Sequence, residues 1–233
     1  MGVSLRIENL EWAFEQNDAP FLTIKHFECS ANSIFGLCGP SGSGKSSLLY
    51  LLSGMEKPAK GAIYWGGVDI TVLSESDRTV WRRMNVGMVF QDFRLIPELD
   101  VISNVLLPST FTQWKPKKRL QDRACELLRF MDVNKPNQMA GTLSRGEMQR
   151  TAIARALLFK PDIILADEPT ASLDLLSSNR VINLLFDVAE HDGSTLIIST
   201  HDSLIKNRLD NILELDHGHP ALLATNSEHS QSC

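Results

Sequence analysis

Hydrophobic and polar residues alternate near the start of the chain, and this pattern predicts short β-strands. Leu5 and Ile7 alternate with charged neighbours, and residues 34–38 form a mostly apolar run that ends at a glycine-rich segment. A helix is predicted directly after that segment. The elements expected here are strands within residues 3–38, among them 21–27 and 34–38, a helix at 46–53, and strands at 61–65 and 86–90.

The pattern changes at about residue 94, where prolines begin to separate segments that otherwise predict helices. Strand patterns return from residue 163 and alternate with a helical pattern. The elements expected here are helices at residues 119–131, 146–159 and 177–190, and strands at 163–166, 195–199 and 212–215. This order predicts an α/β fold with a parallel sheet, an antiparallel β portion near the N-terminus and an inserted α-helical subdomain.

The 233 residues are expected to form a single domain, since a chain of this length buries one large core. The α/β core with its β portion is assigned to residues 1–91 and 159–223, and the helical subdomain to residues 92–158. The polar residues 224–233 are predicted to form a disordered tail.

Composition limits the possible partners and compartments. A net charge of −5 and a pI of about 5.7 argue against nucleic acid, because surfaces that bind it are usually basic. The basic stretch at residues 115–119 is expected to be a solvated face. No segment approaches the roughly 20 apolar residues of a membrane-spanning helix, and the first residues lack the form of a secretion signal. The scattered cysteines favour buried or free thiols in a reducing cytosol.

A phosphate-binding motif lies in the glycine-rich segment, where residues 39–46 fit G-x-x-x-x-G-K-[ST]. Glycines let successive backbone N–H groups turn inward around an anion, and the following helix directs its positive end to the same place. The Lys45 ammonium is expected to reach the β- and γ-phosphates, and the Ser46 hydroxyl to bind Mg²⁺. The residues expected to contact the nucleotide here are Gly39, Pro40, Ser41, Gly42, Ser43, Gly44, Lys45, Ser46 and Ser47.

Two carboxylates follow the apolar run at residues 163–166. Asp167 is expected at the carboxyl end of a central strand, where parallel sheets bind ligands, and is predicted to coordinate Mg²⁺. Glu168 is predicted to face the γ-phosphate as the general base or as the residue that orients the attacking water. Together with the phosphate motif, the pair predicts hydrolysis of a nucleoside triphosphate.

The residues between and around these motifs resemble the ATP-binding-cassette (ABC) ATPases over almost the full length of the chain. Residues 143–150, with the sequence LSRGEMQR, are similar to that family's signature, usually LSGGQ followed by x-Q-R. Gln91, Asp174 and His201 fall where the family has its glutamine loop, its D-loop and its switch histidine. The resemblance implies a P-loop NTPase fold that binds and hydrolyses ATP with Mg²⁺.

The resemblance also implies roles for single residues around the nucleotide. Gln91 would contact the metal and the attacking water and connect them to the helical subdomain, and His201 would hydrogen-bond the γ-phosphate. In this family an aromatic residue of the N-terminal strand stacks on the adenine. The match falls on Phe14, with Trp12 as the alternative.

The family pairs two cassettes head to tail, so that the signature of each closes on the nucleotide held by the other. This implies that Ser144, Gly146 and Glu147 bind the ATP of the partner chain. Asp174 would meet the partner across the interface, in a homodimer or a heterodimer. Arg145 stands where the family usually has glycine. It could assist phosphate binding, turn outward or obstruct closure; the outward orientation is expected, since the neighbouring hydroxyl and glycine are kept.

The segments at residues 90–97, 104–108 and 167–174 resemble one branch of the family, the lipoprotein-releasing, macrolide-efflux and cell-division ATPases of bacteria. That branch implies an integral membrane subunit as partner, docked in part on residues 92–108. It also implies a cytoplasmic protein held at the inner face of the cell membrane through that partner. ATP-driven closure would then drive export or mechanical work.

The sequence leaves other functions open. A soluble regulatory or weakly active ABC ATPase that is not coupled to transport is the main alternative, and Arg145 supports it. Cassettes that act on nucleic acid or ribosomes usually carry a second cassette or a coiled coil, and this chain has neither. A kinase or a GTPase is disfavoured by the signature segment and by the lack of an Asn-Lys-x-Asp run.

Overall fold

The structure, a computed structural model, describes residues 2–14, 19–111, 118–171, 173–209 and 211–225. In chain order, strands β1 to β10 span Leu5–Trp12, Leu22–Cys29, Ile34–Cys38, Lys60–Trp65, Val68–Asp69, Val86–Val89, Ile163–Asp167, Thr195–Thr200, Asn211–Asp216 and His219–Thr225. Helices α1 to α7 span Lys45–Leu52, Glu75–Asn85, Val101–Thr110, Lys118–Phe130, Arg145–Ala156, Leu175–Asp192 and Ser203–Lys206.

The main sheet has the strand order β10-β9-β3-β8-β7-β6, and all its pairings are parallel except that of β10 with β9. Every residue of β7 and β8 is buried, because other elements cover both faces of the sheet. The carboxyl ends of β3, β7 and β8 lie side by side. The residues that follow these three strands therefore meet at one edge of the sheet.

The second sheet is antiparallel, with the order β2-β1-β4-β5, and α1 is packed between the two sheets. Leu48 and Leu49 of α1 belong to the same buried cluster as Ile7 and Ile24 of the antiparallel sheet and Leu165 of the main sheet. The helix that follows the glycine-rich loop is thus fixed from both sides by apolar contacts.

Helices α3 to α6 cover the opposite face of the main sheet. Val105, Leu127, Ile153 and Leu185, one from each of these helices, share a buried cluster with Ile164 of β7. The helices α3, α4 and α5 also pack on one another. In the part of the chain that the structure describes, no helix combines the length and the apolar character needed to cross a membrane.

The α/β fold is confirmed, and the predicted strands and helices are present with ends that differ by at most three residues. Helix α2 was not predicted, since eight of its eleven residues are polar or charged and none is buried. Pro108 was expected to separate segments, but it lies in the last turn of α3, where a missing backbone donor interrupts one hydrogen bond only.

The predicted tail at residues 224–233 is wrong for its first two residues. Strand β10 pairs Ala224 with Ile212 and Thr225 with Asn211. The hydrogen bonds come from a neighbouring strand, which the polar composition of this segment does not reveal. Residues 226–233 lie outside the described residues.

Candidate active site

The loop between β3 and α1 carries the predicted phosphate motif. Gly39 has a φ of 146°, and a side chain there would collide with the carbonyl oxygen of Leu215 and lie 2.7 Å from the Ser43 hydroxyl. Lys45 is buried at the start of α1, and its Nζ donates hydrogen bonds of 2.9 Å to the carbonyl oxygens of Gly39 and Pro40. The buried Ser43 hydroxyl has no hydrogen-bond partner among the described residues. A buried ammonium, a helix start and an unpaired hydroxyl together suit a bound phosphate.

Gly218, in the turn between β9 and β10, supports this loop. Its N–H donates to the carbonyl oxygen of Ser43 at 3.1 Å, and its own carbonyl oxygen accepts the N–H of Thr23 at 2.9 Å. Its φ is 80°, and a side chain there would collide with the carbonyl oxygen of Phe21. The turn therefore holds the phosphate loop and the start of β2 in a fixed relation.

Asp167 is the last residue of β7 and is 2 % exposed. Its Oδ1 accepts hydrogen bonds from the hydroxyls of Ser46 at 3.0 Å and Ser199 at 2.8 Å. Burial raises the pKa of Asp167, and the hydrogen bonds from Ser199 and Ser46 oppose this rise. The structure therefore brings together two of the three side chains predicted to bind the metal, Asp167 and Ser46. The third, Gln91, lines the same cavity as Ser46.

The donor set at Asp167 fits a magnesium ion. Mg²⁺ prefers oxygen ligands and usually binds one or two protein groups together with substrate phosphates and water. Among the described residues no group of three or more His, Cys, Asp or Glu side chains is arranged to hold a metal. A carboxylate and a hydroxyl beside the phosphate loop match an ion that shares its coordination with a nucleotide.

Glu168 follows Asp167 directly and has a φ of 41°, in the left-handed region. Its N–H donates to the Ser199 hydroxyl at 2.8 Å, so Ser199 connects the backbone of Glu168 to the carboxylate of Asp167. The Oε1 of Glu168 lies 3.2 Å from Nδ1 of His201 and 3.6 Å from Nζ of Lys45. Two predicted catalytic residues are thus in contact, next to the lysine expected to bind phosphate.

One cavity of about 230 Å³ is lined by half of the predicted site residues. It lies between the start of α1, the N-terminal hairpin and the segment that follows β6. Its lining residues are Phe14, Phe21, Ser41, Gly42, Gly44, Lys45, Ser46, Ser47, Gln91 and Glu168. Gly39, Pro40, Ser43 and Asp167 are not in the lining; they support it through the contacts described above.

The rings of Phe14 and Phe21 line this cavity, and the Trp12 ring packs against both. Phe14 is 48 % exposed, and its ring lies 4.7 Å from that of Trp12 and 5.1 Å from that of Phe21, between centroids. Trp12 is buried and does not line the cavity. Of the two candidates for adenine stacking, Phe14 is therefore the one that the cavity can present to a ligand.

Two residues of the site were not predicted from the sequence, Phe21 and Ser199. The pairing of Trp12 with Leu22 places Phe21 beside the end of β1, so the hairpin register would have indicated it. Likewise, β7 and β8 pair Asp167 with Ser199. Both signals depend on strand pairing, which the local pattern of the sequence does not specify.

The predicted signature residues lie outside the cavity, on an exposed surface. Ser144 is the N-cap of α5: its hydroxyl accepts the N–H of Glu147 at 3.3 Å and donates to the Glu147 carboxylate at 2.7 Å. These hydrogen bonds from the Ser144 side chain and backbone lower the pKa of Glu147. Arg145, the first residue of α5, is exposed in the single chain.

Asp174 is the N-cap of α6, as Ser144 is the N-cap of α5. Its carboxylate accepts the N–H of Ser177 at 3.0 Å and the Ser177 hydroxyl at 2.7 Å, and these bonds lower its pKa. A side chain at Gly146 would lie 3.7 Å from the Ser177 hydroxyl, so the two helix starts are neighbours. The signature and the D-loop therefore share one surface.

A second cavity, of about 440 Å³, connects that region to the catalytic pair. Glu168 lines both cavities, and His201 lines the second one. Leu173 and Leu175, on either side of Asp174, complete part of its wall. Ser172, in the segment at residues 167–174, and residues 115–117 of the basic stretch lie outside the described residues.

Known proteins are similar in sequence over most of the chain. The family model described as ABC transporter matches residues 22–171. An uncharacterized ABC transporter ATP-binding protein of Mycobacterium tuberculosis is 37% identical over 216 residues, covering 92% of this chain and 87% of that protein. The lipoprotein-releasing system ATP-binding protein LolD of Paramagnetospirillum magneticum is 36% identical over 217 residues, covering 92% of this chain and 96% of that protein.

Solved structures are similar over nearly the whole chain. A dimeric post-hydrolysis state of the ATP-binding cassette MJ0796, bound to ADP and Pi, matches with a TM-score of 0.87 and 31% identity. The match covers 95% of this chain and 98% of that one. A nucleotide-free cassette from an ABC transporter, 24% identical with a TM-score of 0.84, is similar in fold.

Proposed function

The chain belongs to the ABC transporter family and is an ATPase, and on this premise we propose that two such chains close around ATP and thereby drive a membrane partner. The observation that carries the proposal is the separation of two half-sites. Lys45, Ser46 and Glu168 line one cavity, whereas the signature and the D-loop lie on a different, exposed surface. A second copy or a similar chain would complete the site.

In the proposed site Lys45 and Ser46 hold the phosphates. The Lys45 ammonium is within reach of the loop carbonyls at 2.9 Å, and rotation of its side chain would exchange these acceptors for phosphate oxygens. Ser46 and Asp167, with Gln91 at the cavity wall, would hold Mg²⁺. When bound, that ion would neutralise phosphate charge and orient the leaving group.

Glu168 is proposed to act on the attacking water. Its backbone is fixed by the Ser199 hydroxyl, and its carboxylate oxygen contacts Nδ1 of His201. This arrangement lets Glu168 accept a proton or orient the water, while His201 holds the γ-phosphate side of the water in place. Gln91 would couple the binding and hydrolysis of the nucleotide to the position of the helices that follow it.

The proposed dimer joins the two exposed helix starts to the cavity of the opposite chain. Ser144, Gly146 and Glu147 would approach the γ-phosphate held by the partner, where the positive end of α5 favours an anion. Asp174, at the neighbouring helix start, would meet the partner chain. The dimer can consist of identical or of related chains.

An integral membrane subunit is the proposed target of this motion, because LolD-named relatives are ATP-binding proteins of a lipoprotein-releasing system. Residues 92–108 are proposed as part of the docking surface, and Ile96 within them is exposed. The chain would then lie at the inner face of the cell membrane through its partner, and its work would be export or mechanical action. Nucleic acid is not a proposed partner.

The decisive experiment uses Glu168→Gln to stop hydrolysis without removing ATP binding. With ATP and Mg²⁺, this variant should form a dimer in light scattering at micromolar concentration, and wild type should hydrolyse ATP and remain largely monomeric. Glu168→Gln combined with Lys45→Ala is the control and should stay monomeric. A Glu168→Gln protein that stays monomeric with saturating ATP would refute the closed dimer.

A soluble regulatory or weakly active ATPase is a second candidate, and the exposed Arg145 favours it. A guanidinium at the first position of α5 places bulk and charge where the family has glycine. The two functions differ in turnover and in partner. Recovery of the tagged chain from native membranes together with an integral protein supports the first, whereas slow turnover without such a protein supports the second.

A further inference from the structure

Arg155, in the last turn of helix α5, contacts the segment that follows β6. Its Nη2 donates a hydrogen bond of 2.6 Å to the carbonyl oxygen of Phe93, and its Nη1 donates one to the carbonyl oxygen of Arg94. The two acceptors are neighbouring main-chain groups, which matches the planar fork of a guanidinium. Arg155 therefore forms two hydrogen bonds to the backbone of this segment.

The two residues whose carbonyl oxygens accept these hydrogen bonds have an unfavourable backbone conformation. Phe93 has a φ of 58° and Arg94 a φ of 48°, and neither is glycine. Non-glycine residues enter this left-handed region at a cost, and two in succession are held only by their surroundings. The turn has two backbone bonds of its own: the Phe93 N–H donates to the carbonyl oxygen of Phe90 at 3.3 Å, which is long for a backbone hydrogen bond, and the Arg94 N–H donates to the carbonyl oxygen of Asp92, only two residues earlier. The charged bonds from Arg155 are the stronger support.

The same segment touches the phosphate-binding helix on its other side. The Arg94 guanidinium lies 3.9 Å from the centroid of the Phe90 ring, and the Phe90 ring lies 6.5 Å from that of Tyr50 on α1. Gln91 follows Phe90 directly and lines the nucleotide cavity. Residues 90–94 thus lie between α1, which begins at Lys45, and α5, which begins just after Ser144.

We propose that Arg155 is a positioning residue for ATP hydrolysis: it holds residues 93–94 in the left-handed turn that presents Gln91 to the nucleotide cavity, and it ties this turn to the signature helix. The effect of Arg155 on ATP hydrolysis rests on the proposed function, whereas its effect on the turn at residues 93–94 does not. Because α5 is a continuous helix of 12 residues, a displacement of Ser144 at its start is carried to Arg155 at its end. Movement of the signature toward a partner's nucleotide then changes the placement of Gln91 in its own chain.

Lysine cannot replace this arginine, since an ammonium is a point charge and does not form two parallel bonds to adjacent carbonyls. Arg155→Lys keeps the charge and most of the volume and isolates the loss of the fork. Arg129→Lys is the matched control, because Arg129 is exposed near the end of α4 in the neighbouring helix. Both variants should unfold at temperatures close to that of wild type.

The first measurement is hydrogen exchange of the free protein. Arg155→Lys should increase amide exchange at residues 91–95 by about tenfold or more, with little change in the first turns of α5, and Arg129→Lys should leave residues 91–95 unchanged. Unchanged exchange at residues 91–95 in Arg155→Lys overturns the positioning role, whether or not the chain dimerises. If the lysine variant does not fold, Arg155→Gln, which keeps one amide donor, serves the same comparison.

The second measurement is a double-mutant cycle with Gln91→Ala. Arg155→Lys should lower kcat by about tenfold and raise the Mg²⁺ concentration needed for half-maximal rate, while the Kd for ATP changes by less than about twofold. In the Gln91→Ala background the same substitution should have almost no further effect, because the residue that it positions is gone. An equal loss of kcat in both backgrounds would show that Arg155 acts independently of Gln91.

The two measurements separate this inference from the proposed function. Failure of the Glu168→Gln variant to dimerise removes the closed dimer but leaves the exchange result as a test of the turn. Increased exchange without any change in kcat in an active enzyme rejects the catalytic consequence.

Discussion

Replacement of Ser144 by alanine separates its structural role from its proposed role at the partner's nucleotide. Within the chain the hydroxyl caps α5 through one accepted and one donated hydrogen bond with Glu147. Loss of such a cap costs about 1 kcal/mol. For a chain of this size that corresponds to a fall of roughly 2–4 °C in Tm. Ser144 is exposed, so the substitution adds no buried cavity.

The effect on the proposed dimer should be much larger. A hydrogen bond from the hydroxyl to a charged phosphate contributes about 1.5–3 kcal/mol, and a symmetric dimer contains two. Their combined loss of roughly 3–6 kcal/mol raises the dissociation constant by about 100-fold or more. In the Glu168→Gln background, dilution series with ATP and Mg²⁺, followed by light scattering, measure this constant directly.

Helix α2 supplies a matched control for the loss of a cap. Ser74 is its N-cap, and the Ser74 hydroxyl accepts the N–H of Asp77 at 3.2 Å and donates to the Asp77 carboxylate at 2.6 Å, as Ser144 does with Glu147. Ser74→Ala should lower Tm by a similar amount and leave the dimer intact. If Ser144→Ala and Ser74→Ala weaken the dimer equally, the signature hydroxyl does not contact the partner's phosphate and the reasoning fails.

Three further predictions concern other residues of the two half-sites. Arg145→Gly should change the ATPase rate by less than about threefold, because the residue is exposed in the single chain and its guanidinium is expected to turn away from the partner's phosphate; an increase of tenfold or more would show that it obstructs closure. Gly39→Ala should destabilise the fold by about 2–5 kcal/mol, because its side chain would collide with the carbonyl oxygen of Leu215. Gly42→Ala, where nothing lies within 4 Å, should cost only about 1–2 kcal/mol in denaturant titrations, and equal losses would contradict the collision. The pKa of Glu147 is lowered in the folded state, so its stabilising effect is present above its ordinary pKa and is lost as the pH falls through the folded value. The difference in Tm between wild type and Glu147→Gln should therefore shrink on acidification, and a constant difference would exclude this linkage.

The phosphate loop and the acidic pair could be predicted from the sequence because their chemistry is local. The glycines, Lys45 and Ser46 are neighbours along the chain, and Asp167 ends an apolar run that needs no partner to be recognised. The same holds for Ser144, whose side chain caps the helix that it begins. Such features depend on the order of a few adjacent residues.

Features that depend on distant pairing could not be predicted in this way. Phe21 joins the cavity through the register of β1 and β2, and Ser199 meets Asp167 through the pairing of β7 and β8. Arg155 contacts carbonyl groups about 60 positions earlier in the chain. In the sequence, Arg155 looks like any other charged residue on a helix. Every residue has a backbone carbonyl group, so residue type does not indicate which carbonyl accepts a hydrogen bond.

Gly218 has a consequence for the way in which the site is built during synthesis. The phosphate loop leaves the ribosome early, but the turn that bonds to Ser43 and Thr23 is added long afterwards. N-terminal parts of a chain emerge first and begin to fold before the rest exists. The nascent protein therefore passes through a stage in which the phosphate loop is present without the turn that supports it. The loop can bind a nucleotide in its final form only late in translation.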